Sequence, residues 1–277
     1  MKQLEPHNQA DQVPLPGADF AADFSLDSLS RKQFQLLELI LFADAPFTQR
    51  ELARVSGFSL GTVNKVVREL EAVGLVRDGF ATDFAIELLR PCRAVRALIL
   101  ATDPKSVRGA LQMIDGKRSI DHLIDACVDS KIREIRIVRH RVKNGHKLDC
   151  LVDKYPMIRF IDFDDDHCPL EAIAMDSGIM SCALVARADL LLPCPSLVRK
   201  IYYRSTIWGN RNEKGSRKLA GLSFWNETDG KALVQAAREV CESGRAESLG
   251  WDRFQLEFAD AHPSVELREF PRAEADD

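Results

Sequence analysis

Long apolar runs are missing from this 277-residue chain. None approaches the roughly 20 residues that a membrane-crossing helix needs. The N-terminus, MKQLEPHNQADQVPLPGADF, lacks the basic, apolar and small-residue succession of a secretory signal. The expectation is a cytoplasmic protein with no membrane partner. A Cys-x-x-Cys pair is also missing, and the cysteines number seven, which is odd; a disulfide framework and a zinc ribbon are both disfavoured, leaving most of the cysteines as small core residues. An excess of positive charge is the third absence. With a formal net charge of −4, any contact with nucleic acid must come from a local basic surface. What remains is ordinary globular composition, 45% hydrophobic and 29% charged, in a chain long enough for two domains.

Residues 1–28 carry Pro, Asp, Asn and Gln without apolar periodicity and read as a flexible lead-in. From Ser30 to Ala43, Phe34, Leu37, Ile40 and Leu41 form a broad apolar stripe that suits a first helix or a dimer contact. The segment that organises the first domain is FTQRELARVSGFSLGTVNKVVRELEAVGLV, from Phe47 to Val76. Thr48 with Glu51 makes a capping box, Gly57 stops the helix, and Ser59 caps a second helix. Val63, Val66, Val67 and Leu70 of that second helix face a core, and Thr62, Asn64, Lys65 and Arg68 lie opposite. This is the helix-turn-helix pattern, in which the second helix enters the major groove. Arg77-Asp78-Gly79 then supplies turn chemistry for a wing, and Phe84–Leu89 reads as the returning strand.

The stretch from about Ser30 to Arg90 resembles the winged helix of MarR-like bacterial transcription regulators. The resemblance implies a domain over residues 29–92 that binds double-stranded DNA as a homodimer, through Ser59, Thr62, Asn64, Lys65, Arg68 and Arg77. The same helix pair also serves protein contacts in small helical domains, and Arg50 and Arg54 add to its positive charge.

From residue 93 the pattern alternates strand and helix: VRALIL as a buried parallel strand, an amphipathic helix over Ser119–Ser130, a strand over Glu134–His140, a helix over Leu148–Lys154 and a strand over Met157–Phe163. Helix-like residues Pro169–Gly178 precede a buried strand, CALVARADLLL. GLSFWNETDGKALVQAAREV reads as an edge strand and a helix, and SVELREF as a late strand. The expectation is a doubly wound (Rossmann-like) α/β domain over residues 93–277, with function gathered at the carboxyl ends of its strands.

The pieces RALILAT, GALQMIDGKRSIDHLIDACVDSKIREIRIVRH, ALVARADLLL, GLSFWNETDGKAL and WDRFQLEF, in this order, resemble the sugar-nucleotide and phosphocholine cytidylyltransferase group of nucleotidyltransferases. The resemblance implies a glycine-rich loop around nucleotide phosphates and Mg²⁺ held by two aspartates, which fall on Asp189 and Asp252. Mg²⁺ suits carboxylate oxygens and can clamp a phosphate during in-line attack. The loop departs from the pattern. ATDPKSVRG is short, has Asp103-Pro104 in place of glycines and puts Arg108 where a lysine is expected. Asp103 adds a repelling charge where backbone N–H groups should cradle phosphate. The polar Asn-Asn and Ser of the phosphocholine enzymes fall on Cys168-Pro169 and Ala172. Such losses are expected of a retired active site. An alternative nucleotide cradle consists of Lys105, Ser106, Arg108 and Lys117, which equally read as solvated loop charges.

Other clusters have two readings each. The basic run Lys131, Arg133, Arg136, Arg139, Arg141 and Lys143 extends an anion surface or is a solvated edge. Asp162, Asp164, Asp165, Asp166 and His167 hold a metal or form an acidic loop. Trp225, Trp251 and Tyr203 box a quaternary ammonium group or fill the core. Two functions follow. One is a DNA-binding regulator whose degenerate nucleotidyltransferase-like domain senses a nucleotide, choline or sugar-phosphate type ligand or assists assembly. The other is an active Mg-dependent transferase of nucleotidyl groups onto a small phosphorylated acceptor, with an autoregulatory winged helix.

Overall fold

A computed structural model describes residues 25–271, apart from 44, 141, 144, 165–168, 176, 193–196, 199–201, 203, 212–216 and 247. Most of the expected lead-in lies outside the described residues. The chain divides into two compact units, one ending at Leu88 and one beginning at Leu89.

The first unit contains α1 (Arg31–Leu41), α2 (Gln49–Ser56), α3 (Leu60–Ala72), a hairpin of β1 (Val76–Arg77) and β2 (Phe80–Ala81), and α4 (Asp83–Leu88). Local chemistry fixes the helix ends. Ser30 with Gln33 and Thr48 with Glu51 close reciprocal capping boxes, and Gly57 ends α2 in the left-handed region at φ 71°. Leu36, Leu37, Ile40 and Leu41 of α1, Leu52 of α2 and Val63, Val66, Val67 and Leu70 of α3 are among the buried residues of this unit. The apolar stripe of α1 is therefore largely used inside the unit. Asp78 and Gly79, at φ 51° and 80°, give the two positive φ values that a tight two-residue hairpin turn requires.

Phe84–Leu89 does not return as a strand; Asp83–Leu88 is helical. Thr82 provides the reason. Its Oγ1 accepts from the Ala85 N–H at 3.3 Å while its carbonyl accepts from Ile86 N–H, so the segment starts with a helix cap. Ala85 and Leu89 are then buried one turn apart.

The second unit is built on a seven-stranded sheet in the order β11-β9-β10-β8-β3-β6-β7, with β3 (Arg96–Ala101), β6 (Glu134–His140), β7 (Ile158–Phe163), β8 (Ala183–Arg187), β9 (Thr206–Arg211), β10 (Arg217–Trp225) and β11 (Glu266–Glu269). All pairings are parallel except those of β10, which runs antiparallel to both β8 and β9. β10 is thus interior, against the expectation of an edge. The cause is β9, a strand the sequence reading did not anticipate, which covers its outer side. A second small hairpin, β4 (Met113–Ile114) with β5 (Lys117–Arg118), turns through Asp115 and Gly116 at φ 49° and 80°.

Helices α5 (Pro104–Ala110), α6 (Ser119–Asp129) and α7 (Cys150–Lys154) share one apolar core with the sheet, and α8 (Pro169–Met175), α9 (Glu227–Glu242) and α10 (Trp251–Ala261) share the other. Strand β3 shows why its sequence is apolar throughout. Ala97, Ile99 and Ala101 enter the first core, and Leu98 and Leu100 enter the second. The chain leaves β3 for β6 and β7 on one side, then returns to β8 on the other. The carboxyl ends of β3 and β8 therefore flank the topological switch point, where ligands of such sheets bind. The five described cysteines, Cys92, Cys127, Cys150, Cys182 and Cys241, are all free. Among the described residues no helix is long and apolar enough to cross a membrane.

Candidate functional site

In the first unit the candidate surface is the outer face of α3. Ser59 caps the helix, its Oγ accepting from the Thr62 N–H at 3.2 Å and lying 2.9 Å from Thr62 Oγ1. With the four apolar residues turned inward, Gly61, Lys65 and Arg68 fall on an exposed stripe at i, i+4 and i+7. Lys65 Nζ lies 3.9 Å from Glu69 Oε1 with 78% of its side chain exposed. A surface pair of this kind is worth at most about 1 kcal/mol, so the ammonium remains free to exchange partners. Arg77 is exposed on the hairpin. Asn64 is less available, because its amide oxygen is buried without a hydrogen-bond partner. Leu60 and Gly61, which the sequence reading passed over, are exposed at the start of α3, where a groove-reading helix makes base contacts.

In the second unit a cleft of about 850 Å³ opens at the switch point. Its walls include Lys105, Arg108 and Gly109 of α5, Ser119 at the start of α6, Lys147 of the turn before α7, and Asp189 just beyond β8. The segment expected to be a phosphate loop is instead a short helix capped by its own acid. Asp103 Oδ1 accepts from the N–H groups of Lys105 and Ser106, both at 2.9 Å. Ser106 is 1% exposed, and its hydroxyl donates to the Asp103 carbonyl at 2.8 Å. Of the four residues considered as a nucleotide cradle, Lys105 and Arg108 line the cleft. Ser106 is engaged in the cap, and Lys117 Nζ is paired with Asp125 at 3.0 Å.

Asp189 and Asp252 do come under one influence, that of Arg187. The Arg187 guanidinium grips Asp189 with both arms, Nε donating to Oδ1 at 3.0 Å and the terminal nitrogen to Oδ2 at 2.8 Å. The side chain leans on Gly221, where β10 bulges at φ 83° and a Cβ would stand 2.6 Å from Arg187 Cδ. The hydrogen bonds to Asp189 hold the guanidinium firmly protonated, with Asp252 and Asp103 adding to the field. Burial pushes the Asp252 carboxyl above its ordinary value; Arg187 draws it down and Asp189 pushes it up. These residues do not fit a divalent cation. The Arg187 guanidinium holds each Asp189 oxygen by a hydrogen bond and sets a fixed positive charge where a cation would approach.

Described members of the remaining clusters find partners within the second unit. Arg139 is 5% exposed and lies 3.5 Å from the centroid of the Phe160 ring; it donates to Asp162 at 2.6 Å, to Asp149 at 2.5 Å and to the Gly145 carbonyl at 2.9 Å. The basic run therefore contributes no continuous anion surface through Arg139, and Asp162 is tied to it; residues 165–167 and Arg141 lie outside the described set. Trp225 is fully buried, its indole N–H on Ser223 Oγ at 3.0 Å and its ring edge-on to Phe258, while Trp251 stacks near Phe254. Both tryptophans belong to the core of the second sheet face, and Tyr203 lies outside the described residues.

The sequence reading missed Arg187, Ser119 and Lys147. Arg187 stands two residues before Asp189, a spacing that returns side chains to one side of an extended segment, and this was the available signal. Ser119, at the start of α6, and Lys147, in the turn before α7, are distant in sequence and gave none.

Comparison with known proteins bears on the fold of each unit. Residues 27–80 match the MarR family, so a MarR family domain occupies the first unit. No curated protein matches the chain. Among solved structures, CTP:phosphocholine cytidylyltransferase from Streptococcus pneumoniae superposes with a TM-score of 0.51 at 18% identity, covering 64% of this chain and 90% of that one. A 4-diphosphocytidyl-2C-methyl-D-erythritol synthase from Anaerococcus prevotii aligns at 15% identity with a TM-score of 0.48, covering 68% of this chain and 91% of that one. A share of 64% is too large for the first unit, so the likeness lies mainly in the second. The chain joins a MarR family winged helix to an α/β unit with the nucleotidyltransferase fold.

Proposed function

We propose that the protein is a cytoplasmic, DNA-binding transcription regulator. It acts as a homodimer on double-stranded DNA, and its second unit serves as a sensor for a small phosphorylated ligand rather than as an enzyme. The observation that carries the reading is the exposed stripe of α3, where Gly61, Lys65 and Arg68 lie opposite a fully packed apolar face within a MarR family domain. A glycine lets the helix approach the groove closely, and the two cations are placed for phosphates. Ser59 and Thr62 at the start of the helix, together with Arg77 on the hairpin, complete the surface.

The transferase reading has the fold in its favour. It is opposed by the site, in which Asp103 takes up the backbone donors after β3 and Arg187 takes both oxygens of Asp189. The test pairs two assays on the full-length protein. A mobility shift with DNA from the neighbourhood of its own gene should show a complex. Incubation with CTP or UTP, Mg²⁺ and phosphocholine or sugar phosphates should release no pyrophosphate. Turnover abolished by Asp189→Ala would establish the enzyme instead.

A further inference from the structure

We infer that Arg187 is a built-in substitute for the divalent cation, and that the cleft beside it receives a phosphorylated compound without metal. The inference rests on the sensor reading of the second unit and specifies the chemistry of its ligand.

Three observations support it. First, the bidentate Arg187–Asp189 pair places a fixed positive charge against the carboxylate that would otherwise bind a cation. Such fork-on-carboxylate pairs are among the stronger polar contacts. Mg²⁺ gives up its water reluctantly, so it competes poorly for oxygens already held in this way. Second, the cleft carries Lys105, Arg108 and Lys147, and none of the three is in an ion pair among the described residues. The one acid among the described residues of its wall, Asp189, is already paired with Arg187. Third, Ser119 lines the cleft, is 1% exposed, and its Oγ has no hydrogen-bond partner. A buried hydroxyl without a partner is costly, and a ligand oxygen would satisfy it. Two cations from α5, one from the turn before α7 and one orphaned donor describe a site for phosphate oxygens.

The test uses full-length protein with two probes. Inorganic pyrophosphate, titrated calorimetrically in the presence of EDTA, should bind wild type and bind Lys147→Ala and the Lys105→Ala/Arg108→Ala double variant at least about tenfold more weakly, since each lost charge contact is worth on the order of 1.4 kcal/mol. Mn²⁺, followed by its electron paramagnetic resonance signal, should find no Asp189-dependent site in wild type or in Arg187→Lys, which keeps the charge. Arg187→Met should gain a Mn²⁺ site that disappears when Asp189→Asn is added; Arg187→Gln serves in its place should the methionine variant fail to fold. The inference is overturned by pyrophosphate binding that requires Mg²⁺ or ignores the three cations, by its absence in EDTA, by Asp189-dependent Mn²⁺ in wild type, or by no gain in the folded Arg187 variant. DNA binding is measured separately. Its loss alone would sink the regulator reading and leave these titrations standing.

Discussion

Gly109 of α5 lies directly against Asp189, so close that a Cβ built on it would stand 2.6 Å from Asp189 Cβ. Replacing it with alanine adds helix propensity of up to about 1 kcal/mol. The contact opposes this, because the short Asp189 side chain is held by Arg187 and cannot swing away. Overpacking of this kind costs about 1–3 kcal/mol. Gly109→Ala should therefore lower the urea midpoint and weaken pyrophosphate binding together. An unchanged midpoint would mean that the helix shifts freely over the strand end.

Lys65 and Arg68 should act on DNA through phosphates rather than bases. Each alanine variant is expected to weaken binding to specific and nonspecific duplexes alike and to lower the slope of log affinity against log salt by about 1. Folding should be unaffected, since both side chains are exposed. A salt slope identical to that of wild type would remove these residues from the interface.

Arg139 should matter for stability far more than either of its carboxylate partners' exposure would imply. It is buried against the Phe160 ring, and its removal leaves the buried Gly145 carbonyl without its donor, which costs about 1–3 kcal/mol. Asp149 is 63% exposed in its side chain, so Asp149→Ala should cost no more than about 1 kcal/mol. Chemical denaturation of the two variants decides the order.

Two carboxylates should bend the pH dependence of stability in opposite directions. The Thr48 backbone N–H and hydroxyl hold Glu51 below its ordinary value, with Arg54 adding to the effect. Its contribution is present above the usual glutamate range and is lost as pH falls through the lowered value. Burial raises Asp252, so its contribution is full below the usual aspartate range and is lost as pH rises through the raised value. Asp252→Asn should raise the Tm at neutral pH, with the difference closing in acid. Glu51→Gln should flatten the acid limb for the first unit.

Much of the first unit was legible because its rules are local. The capping box at Thr48, the stop at Gly57, the cap at Ser59 and the Asp78-Gly79 turn each involve residues within a few positions of one another. Phe84–Leu89 has apolar residues that look strand-like, and the deciding signal, Thr82 as a cap, stands outside the segment. The Asp115-Gly116 hairpin carried the same turn dipeptide as the wing and was readable, yet its strands are only two residues each. The interior place of β10 depends on its neighbour β9, which its own residues do not record. The cleft shows the same divide. Asp189 follows from the family resemblance and Lys105 and Arg108 from the loop after the first strand, whereas Ser119 and Lys147 meet them only through the sheet topology. The role of Arg187 depends on where its guanidinium points, and spacing does not record that.

The most direct test is fluorescence anisotropy of labelled duplexes from the neighbourhood of the gene, at about 0.15 M salt, with scrambled DNA of equal length as competitor. The account predicts saturable binding at least about 10³-fold tighter than to the scrambled duplex. Equal affinity for both duplexes, or none for either, would contradict it.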